Sequence, residues 1–427
     1  MLQTFKNRLM FQFSYSKELE KYFLSNKLYI EYDNDIQNVS RSILYIPAVS
    51  CLITIAGAMN AGFYVEELDR NFLESLRKIE LIMKKCYPNI PFSIKIHIDR
   101  ILNNSFSNNG YGLLFSGGID STVSYIRHRD KKPDLIMVWG LDIPLDEKDF
   151  WWKVRDTYEN FAIRENVKIR FIKTNMRQCM NEALLSKESS RYCKGLSWWE
   201  MVYSLPLLGL CAPITVERIG TILFASSETK EFSRPGGFHP QLFVNRISWA
   251  DVRVVLDAYE ISRQEKIRYF LKNYITDHGN YPHLWVCWKS RHSLNCGKCE
   301  KCSRTITELI LEGIDPNKCG FNINRNFFIF LKSNLSRFIR DEVNVFMWKD
   351  IQQHIPQVID HNLYDSKSFF EWFKTFDIQG NLRKRKINDT IKKLPLFYVY
   401  YKLPNEVRTK LKRLKLGIVR NQENRFS

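Results

Sequence analysis

Residues 112–121 of this chain read GLLFSGGIDS, and this stretch establishes the kind of fold that the chain adopts. Its first four residues form a short apolar run typical of a buried strand, and apolar Val123 and Ile126 follow at helical spacing. Gly117 and Gly118 allow a tight turn with positive φ and leave the backbone amides uncovered. A helix that begins after such a turn presents unpaired N–H groups and the positive end of its dipole. The stretch therefore predicts a strand, a turn suited to an anion, and a helix.

Polar side chains in the same turn could complete a phosphate site. Ser116 and Ser121 can donate hydrogen bonds to phosphate oxygens, and Asp120 can either cap the helix or hold Mg²⁺. The turn is not a Walker A loop, because it has no lysine, and it lacks the three-glycine spacing of dinucleotide-binding proteins. An ordinary glycine-rich connection between a strand and a helix is the alternative.

Four of the ten cysteines form a second motif. Cys287, Cys296, Cys299 and Cys302 follow the spacing C-x8-C-x2-C-x2-C, and Gly297 permits a tight turn inside it. Four thiolates around one centre give the closed tetrahedral arrangement of a structural zinc. An iron–sulfur cluster is the alternative, since closely spaced cysteines also serve such clusters, but the long interval after Cys287 favours zinc.

The two motifs together resemble a known family. The SGGxDS turn is similar to the loop of the PP-loop ATP pyrophosphatases, and the downstream CGxCxxC run resembles the 7-cyano-7-deazaguanine synthase branch of that superfamily. The similarity covers about residues 110–315, but residues 232–240, FSRPGGFHP, do not reproduce the Asp, Cys and Arg that the family places beside its substrate. The resemblance assigns ATP binding to Ser116, Gly117, Gly118, Asp120 and Ser121, and zinc binding to Cys287, Cys296, Cys299 and Cys302.

Strand-like and helical segments alternate from about residue 110 to 280, which predicts an α/β fold with a doubly wound parallel sheet. The resemblance implies the adenine nucleotide alpha hydrolase-like form of this fold. Further strands are expected at 135–139, 168–172 and 222–225. Such sheets bind ligands at the carboxyl ends of their strands, so the residues that follow each strand should lie beside the turn. These residues are Gly140 and Asp142, Thr174 and Asn175, and Ser226, Ser227 and Glu228.

Individual roles follow for some of these residues. Gly140 and Ser226 are expected to help bind the nucleotide. The resemblance to PP-loop enzymes implies that Glu228 meets Mg²⁺ or the α-phosphate, with a solvated loop glutamate as the alternative. His239 could position a substrate carboxylate or carry a proton, and Arg234 could clamp an anion, although both also suit an ordinary loop. The predicted catalytic set is Ser116, Asp120, Glu228 and His239.

Length and composition predict the organisation of the chain. With 427 residues and 44% hydrophobic content there is room for two or three packed domains, and global disorder is excluded. We expect an N-terminal α+β domain at 1–105, a PP-loop domain at 106–315 and a helical extension at 316–427. The apolar stretch 43–62 is interrupted by Pro47 and polar residues, so buried core is expected there and no transmembrane segment. No secretory signal is visible at the start, which favours the cytoplasm.

The positive charge is concentrated in the C-terminal tail. The formal net charge is +18, and residues 381–427 hold 14 Lys and Arg against 3 Asp and Glu. A basic tail of this kind suits nucleic acid, an anionic membrane surface or an acidic protein. An amphipathic helix docked on its own domain is the alternative.

The resemblance implies an enzyme that converts ATP to AMP and pyrophosphate while it activates a carboxylate or amide for C–N bond formation. The acceptor would be a small molecule or a peptide, and a partner protein is expected from the same accessory bacterial gene cluster, for example one for antiphage defence. One alternative is a tRNA-modifying PP-loop enzyme that uses Cys193 or Cys211 for sulfur transfer. Another is a nucleotide-binding scaffold in a defence or polysaccharide-biosynthesis complex.

Overall fold

A large β-sheet runs through the protein in the computed structural model, which describes residues 1–90, 92–190, 197–232 and 243–393. Within these ranges nine strands join the central sheet and two form a separate small sheet. The strands are β1 (Leu2–Thr4), β2 (Arg8–Gln12), β3 (Lys27–Tyr32), β4 (Gly62–Asp69), β5 (Lys95–Leu102), β6 (Gly110–Leu114), β7 (Asp134–Trp139), β8 (Ile169–Thr174), β9 (Ile219–Ala225), β10 (Ser248–Trp249) and β11 (Val252–Asp257).

The strand order of the central sheet is β1-β2-β3-β8-β7-β6-β9-β11-β10. The five strands β8, β7, β6, β9 and β11 run parallel, and the others pair antiparallel at the two sides. From β6 the chain builds outward through β7 and β8, then returns to the other side of β6 for β9 and β11. The predicted α/β class and parallel central sheet are confirmed, and the expected strands agree with β7, β8 and β9 within a few residues.

The N-terminal strands extend the central sheet. β3 pairs antiparallel with β8, with Ile30 opposite Thr174, and β2 and β1 follow outward. The sheet thus includes strands from both sides of the boundary expected at residue 105, and the three domain boundaries stay predictions. β4 and β5 form a separate parallel pair that packs beside helix α3 (Arg70–Cys86).

Short and long helices cover the sheet and build the C-terminal region. In the described ranges they are α1 (Arg41–Leu44), α2 (Ile46–Ala58), α3 (Arg70–Cys86), α4 (Ile119–Arg127), α5 (Lys148–Glu165), α6 (Met176–Cys179), α7 (Glu182–Ser189), α8 (Trp198–Val202), α9 (Ser204–Gly209), α10 (Ala212–Thr215), α11 (Arg263–Lys266), α12 (Lys272–His278), α13 (Glu300–Leu311), α14 (Phe327–Phe338), α15 (Glu342–Gln353), α16 (Ser366–Lys374) and α17 (Ile378–Lys393). A π-helical turn, Ile267–Leu271, connects α11 to α12 without a break.

Helix α2 lies inside the largest core cluster. Every residue from Ile46 to Ala58 is buried, as the interpretation of this apolar stretch as core predicts. Across the described ranges, no helix combines the length and the apolar character that crossing a membrane requires.

The C-terminal region is helical, as expected. Helices α14 to α16 pack around Trp348, Phe370 and Phe373, all of them buried. This region shares its core cluster with the inner face of α4 and with α13. Most of the basic tail, from residue 394 onward, lies outside the described residues, so its expected partners stay predictions.

Candidate functional site

The glycine turn, residues 116–118, lies between the end of β6 and the start of α4. Gly117 has a φ of +74°, and a Cβ atom there would lie 1.9 Å from the hydroxyl of Tyr158. Only glycine therefore fits at this position. Gly118 is the N-cap of α4, so the first amides of the helix have no acceptor within the helix itself.

Two serines shape the turn from inside. The hydroxyl oxygen of Ser121 accepts a hydrogen bond from the amide of Ser116 at 3.2 Å and lies 3.1 Å from the Ser116 hydroxyl. The amide of Gly118 donates to the Ser116 hydroxyl at 3.4 Å. Ser116 is exposed at the turn, whereas Ser121 is buried beneath it and its hydroxyl lies 3.3 Å from the carbonyl of Gly118.

The turn is anchored from behind by two other parts of the chain. The carbonyl of Gly117 accepts a hydrogen bond from the amide of Trp285 at 2.8 Å, and the Tyr158 hydroxyl on α5 lies 3.2 Å from the same oxygen. Burial raises the pKa of Tyr158, which keeps it protonated and able to donate. The conformation of the turn is thus fixed by α5 and by the segment that leads into the cysteine cluster, Cys287, Cys296, Cys299 and Cys302.

The carboxylate of Asp120 is held by two cations. Its Oδ2 lies 2.5 Å from the guanidinium of Arg263, and its Oδ1 lies 3.1 Å from the ammonium of Lys266. Burial by itself would raise the pKa of Asp120, but the charges of Arg263 and Lys266 outweigh it, so the pKa lies below its ordinary value. The N-cap of α4 is Gly118, so the first of the two alternatives for Asp120, that it caps this helix, is wrong.

Arg263 and Lys266 come from α11, which starts more than 140 residues after the turn. The helix begins with a capping box, in which Ser262 and Glu265 bond reciprocally. Arg263 also donates to Glu308 on α13 at 2.9 Å, and buried Lys266 also donates to the carbonyl of Ser226. These contacts bind α4, α11, α13 and the end of β9 together around the turn.

Two more cations lie on α13, and with Arg263 and Lys266 they form the cation cluster: Arg263, Lys266, Lys301 and Arg304. Arg304 is buried and donates to Glu300 at 2.9 Å. Lys301 lies over the indole of Trp288, 3.4 Å from the ring centroid, and this indole is 65% exposed. Burial, together with the charges of Arg304 and Arg263, lowers the pKa of Lys301 to about 8. Asp120, Glu300 and Glu308 pair with three of these cations, so Lys301 is the member of the cluster that has no carboxylate within ion-pair distance among the described residues.

The other residues that were predicted beside the turn follow the carboxyl ends of β7 and β9, at the edge of the sheet that we call the rim. Gly140 follows β7 with a φ of +102°, and a Cβ atom there would meet the carbonyl of Thr174 at 1.8 Å. The hydroxyl of Ser226 donates to the carbonyl of Glu228 at 2.8 Å, and both residues are buried. Glu228 is therefore not a solvated loop residue, and that alternative is wrong. Asp142 is exposed at the same rim.

The cysteine cluster has the geometry of a tetrahedral metal site. All four Sγ atoms lie within 4.8 Å of one another, with 3.9 Å between Cys287 and Cys299 and 3.8 Å between Cys296 and Cys302. Sulfurs placed about 2.3 Å from a tetrahedral zinc lie about 3.8 Å apart. The amides of residues 289 and 290 donate to the Cys287 sulfur, both at 3.3 Å. Hydrogen bonds from Cys299 and Cys302 lower the pKa of the Cys287 thiol. The four residues are placed to hold a metal ion such as zinc.

The cysteine cluster also positions the neighbouring cations. Cys299 is the N-cap of α13, so the helix that carries Lys301 and Arg304 starts at a ligand of the predicted zinc. Trp285, which bonds the glycine turn, lies two residues before Cys287. A metal at this site would therefore brace both the turn and the cation cluster.

Some sequence predictions fall elsewhere. His239, Arg234 and Cys193 lie outside the described residues, so their expected roles stay predictions. Cys211 is fully buried, and burial raises the pKa of its thiol, which does not suit sulfur transfer to a large substrate. The sequence does not mark Arg263 and Lys266 as residues of the site. A lysine one turn into a helix with a capping box carries no local signal of its position.

No protein-family model, curated protein or solved structure matches this chain. The argument for a functional site therefore depends on where the glycine turn lies in the sheet and on the chemistry of the residues around it. The glycine turn follows β6, the strand from which the sheet is built in both directions. Open α/β sheets bind ligands at this switch point, outside the carboxyl ends of the strands.

Proposed function

We propose that this protein is an adenylating enzyme, which converts ATP to AMP and pyrophosphate while it activates a carboxylate or an amide for C–N bond formation. One observation carries the proposal. The glycine turn opens a helix at the switch point of a parallel sheet, directly beside the buried ammonium of Lys266 and the guanidinium of Arg263. A triphosphate is the ligand that best matches uncovered amides, hydroxyls and cations in one place.

In this proposal the turn binds the β- and γ-phosphates. The amides at the start of α4 and the hydroxyls of Ser116 and Ser121 would donate to the phosphate oxygens. Gly118 leaves the approach to these amides open, because a Cβ atom there would meet no atom closer than 3.5 Å within the protein. Gly117, by contrast, must be glycine whether or not a ligand binds, because its φ is positive and the Tyr158 hydroxyl leaves no room for a Cβ atom.

The cation cluster would stabilise the departing pyrophosphate. Negative charge accumulates on the leaving group as the bond to the α-phosphorus breaks, and fixed cations in a partly buried site stabilise such charge effectively. Lys266 is held in place by Asp120 and by the Ser226 carbonyl, so it needs little reorganisation. Both carboxylate oxygens of Asp120 already contact cations, which makes exposed Asp142 the better placed carboxylate for the Mg²⁺ that accompanies ATP.

The reaction balances in two steps. An oxygen of the acceptor attacks the α-phosphorus of ATP, pyrophosphate leaves, and the acceptor carries AMP. Ammonia or an amine then attacks the activated carbon and releases AMP, with loss of one proton to solvent. The acceptor is a small molecule or a peptide, and the zinc predicted at the cysteine cluster has a structural role with no part in either step.

The first step is reversible, so exchange of labelled pyrophosphate into ATP tests the proposal directly. The full chain is incubated with ATP, Mg²⁺, labelled pyrophosphate and pools of carboxylate- and amide-bearing compounds and peptides. We expect exchange with at least one pool, and we expect Ser116→Ala combined with Ser121→Ala to reduce it about a hundredfold, since two phosphate contacts are lost.

A matched control removes a hydroxyl of the same type elsewhere. Ser333 is exposed on α14, so Ser333→Ala should leave exchange unchanged. If the double variant exchanges pyrophosphate as fast as the unaltered protein, the turn does not bind the phosphates and the proposal fails.

A further inference from the structure

The small sheet of β4 and β5 is incomplete at one side. Within the described residues β5 pairs with β4 alone, so its other edge presents unpaired backbone groups. A two-stranded sheet is marginal by itself, and an edge with unpaired N–H and C=O groups is a ready template for a further strand. A groove of about 410 Å³ lies between β5 and α3, lined by side chains that include Leu73, Leu76, Ile96 and Ile98.

The sequence of β5 contains a charge pattern that complements itself. Residues 95–99 read Lys-Ile-His-Ile-Asp, so the centre is His97, isoleucines flank it, and opposite charges occupy the two ends. The polar side chains face solvent: the His97 side chain is 77% exposed and that of Asp99 is 47% exposed. Ile96 and Ile98 face the other way and pack against the N-terminal core.

We propose that β5 is a dimer interface, in which the strand pairs antiparallel with β5 of a second copy of this chain about a twofold axis at His97. The backbone bonds would join two β4–β5 pairs into one four-stranded sheet. Lys95 of each copy would lie opposite Asp99 of the other, and Ile96 opposite Ile98.

One register satisfies the charges. A shift by one residue places isoleucines opposite polar side chains and mixes the two faces of the sheet. A shift by two residues in either direction places Lys95 or Asp99 opposite His97 and removes both Lys–Asp pairs. The pattern therefore requires a partner strand with the same sequence that runs in the opposite direction. The β5 strand of a second copy of this chain meets this requirement.

Existing contacts prepare the edge for this partner. His97 stacks on Tyr64 of β4, with ring centroids 5.7 Å apart, and the Tyr64 hydroxyl donates to Asp99. Arg100 is tied to buried Glu67 on β4, next to Arg41. These bonds hold the side chains of His97, Asp99 and Arg100 in fixed positions, which lowers the entropic cost of ordering them on dimerisation.

Complementary charge variants test the register. In Lys95→Glu every Lys–Asp pair of the dimer becomes Glu opposite Asp, and in Asp99→Lys it becomes Lys opposite Lys. Sedimentation equilibrium of the full chain should show a dimer for the unaltered protein and dissociation constants raised about tenfold or more for each variant. An equimolar mixture of the two variants should regain the original affinity, because the glutamate introduced in one copy then faces the lysine introduced in the other.

Lys272→Glu provides the control, since it makes the same charge change on exposed α12 and should leave the dissociation constant unchanged. Circular dichroism establishes that all variants are folded. The proposal is overturned if the unaltered chain stays monomeric up to its solubility limit, which would leave the edge to a different partner. It is also overturned if a dimer forms whose affinity neither variant changes, or if mixing the variants restores nothing.

Discussion

The two ends of the parallel strands both contain buried charges, but they use them differently. At the amino ends Arg170 and Asp134 are completely buried and lie 2.7 Å apart, and Glu217 and Arg218 complete the group. At the carboxyl ends the cation cluster lies beside uncovered helix amides. There, within the described ranges, no carboxylate lies within ion-pair distance of Lys301. The amino ends form a closed structural network, whereas the carboxyl ends retain the charge of Lys301 without a carboxylate partner.

This difference can be explained by what surrounds each end. An ion pair that is removed from water is stable only if each charge has partners, and a surplus charge there would be costly. The surplus at the carboxyl ends is tolerated because the rim opens to solvent beside Trp288 and Asp142. Substitutions at either end test this contrast, and we expect the strongest response at the cysteine cluster.

Removal of one cysteine should disturb the carboxyl ends most. Cys302→Ser should lose most of its bound metal, because hard hydroxyl oxygen is a poor replacement for a thiolate in a zinc site. Structural zinc provides on the order of 10 kcal/mol of binding free energy in small domains, so a large loss of stability is expected. Metal analysis and chemical denaturation measure it.

The matched change outside the cluster is Cys86→Ser, at the end of α3. It should retain full metal content and lose little stability. Equal metal content in Cys302→Ser and the unaltered protein would contradict the assignment of the four ligands.

Removal of Asp134 should break the closed network. Asp134→Ala leaves buried Arg170 without one of its two carboxylate partners, which is expected to lower the free energy of unfolding by about 3–5 kcal/mol. ATP affinity of the folded fraction should not change, since the network lies at the opposite end of the strands. Urea denaturation and calorimetric titration separate the two effects, and exposed Asp146→Ala is the control. If Asp134→Ala lost ATP affinity but kept its stability, the network at the amino ends would serve ligand binding and not the fold, contrary to our expectation.

Removal of Lys266 should affect the ligand more than the fold. Lys266→Met keeps the length of the side chain, and Asp120 retains Arg263 as a partner. We expect ATP to bind about tenfold to a hundredfold more weakly, the range for loss of a hydrogen bond to a charged group. Titration calorimetry measures this, with Lys272→Met on the exposed side of the same helical segment as the control. Unchanged affinity would place the triphosphate elsewhere.

The smallest effect concerns pH. The pKa of Asp120 in the folded protein is below its ordinary value of 3.8, so its pairing stabilises the fold fully above that value. This contribution is lost as the pH falls through the folded-state pKa. Asp120→Asn should therefore make the acid limb of the stability curve less steep and leave its slope near neutrality unchanged. An identical acid limb in both proteins would mean that the pairing adds nothing to stability.

The sequence revealed those parts of the site that depend on neighbouring residues. The glycine turn is local, because a strand, two glycines and a helix follow one another, and the cysteine cluster is local, because thiolates that share an ion must be closely spaced. Arg263 and Lys266 depend on how α11 docks on α4, and nothing near them in the chain encodes that contact. The same holds for β3, whose alternating Leu28, Ile30 and Tyr32 predict a strand but do not say that β8 is its neighbour.

The π-helical turn Ile267–Leu271 links the orientation of these two cations to that of the C-terminal core. Each residue in an α-helix advances the side-chain direction by roughly 100°, and a π turn accommodates one residue more than the α-helical path. Lys266 faces Asp120 just before this turn, while Leu271 at its end and Ile275 on α12 face the C-terminal core. Deletion of a single residue within 267–271 would thus rotate one contact face relative to the other, so the length of this segment, as well as its composition, is constrained by the site.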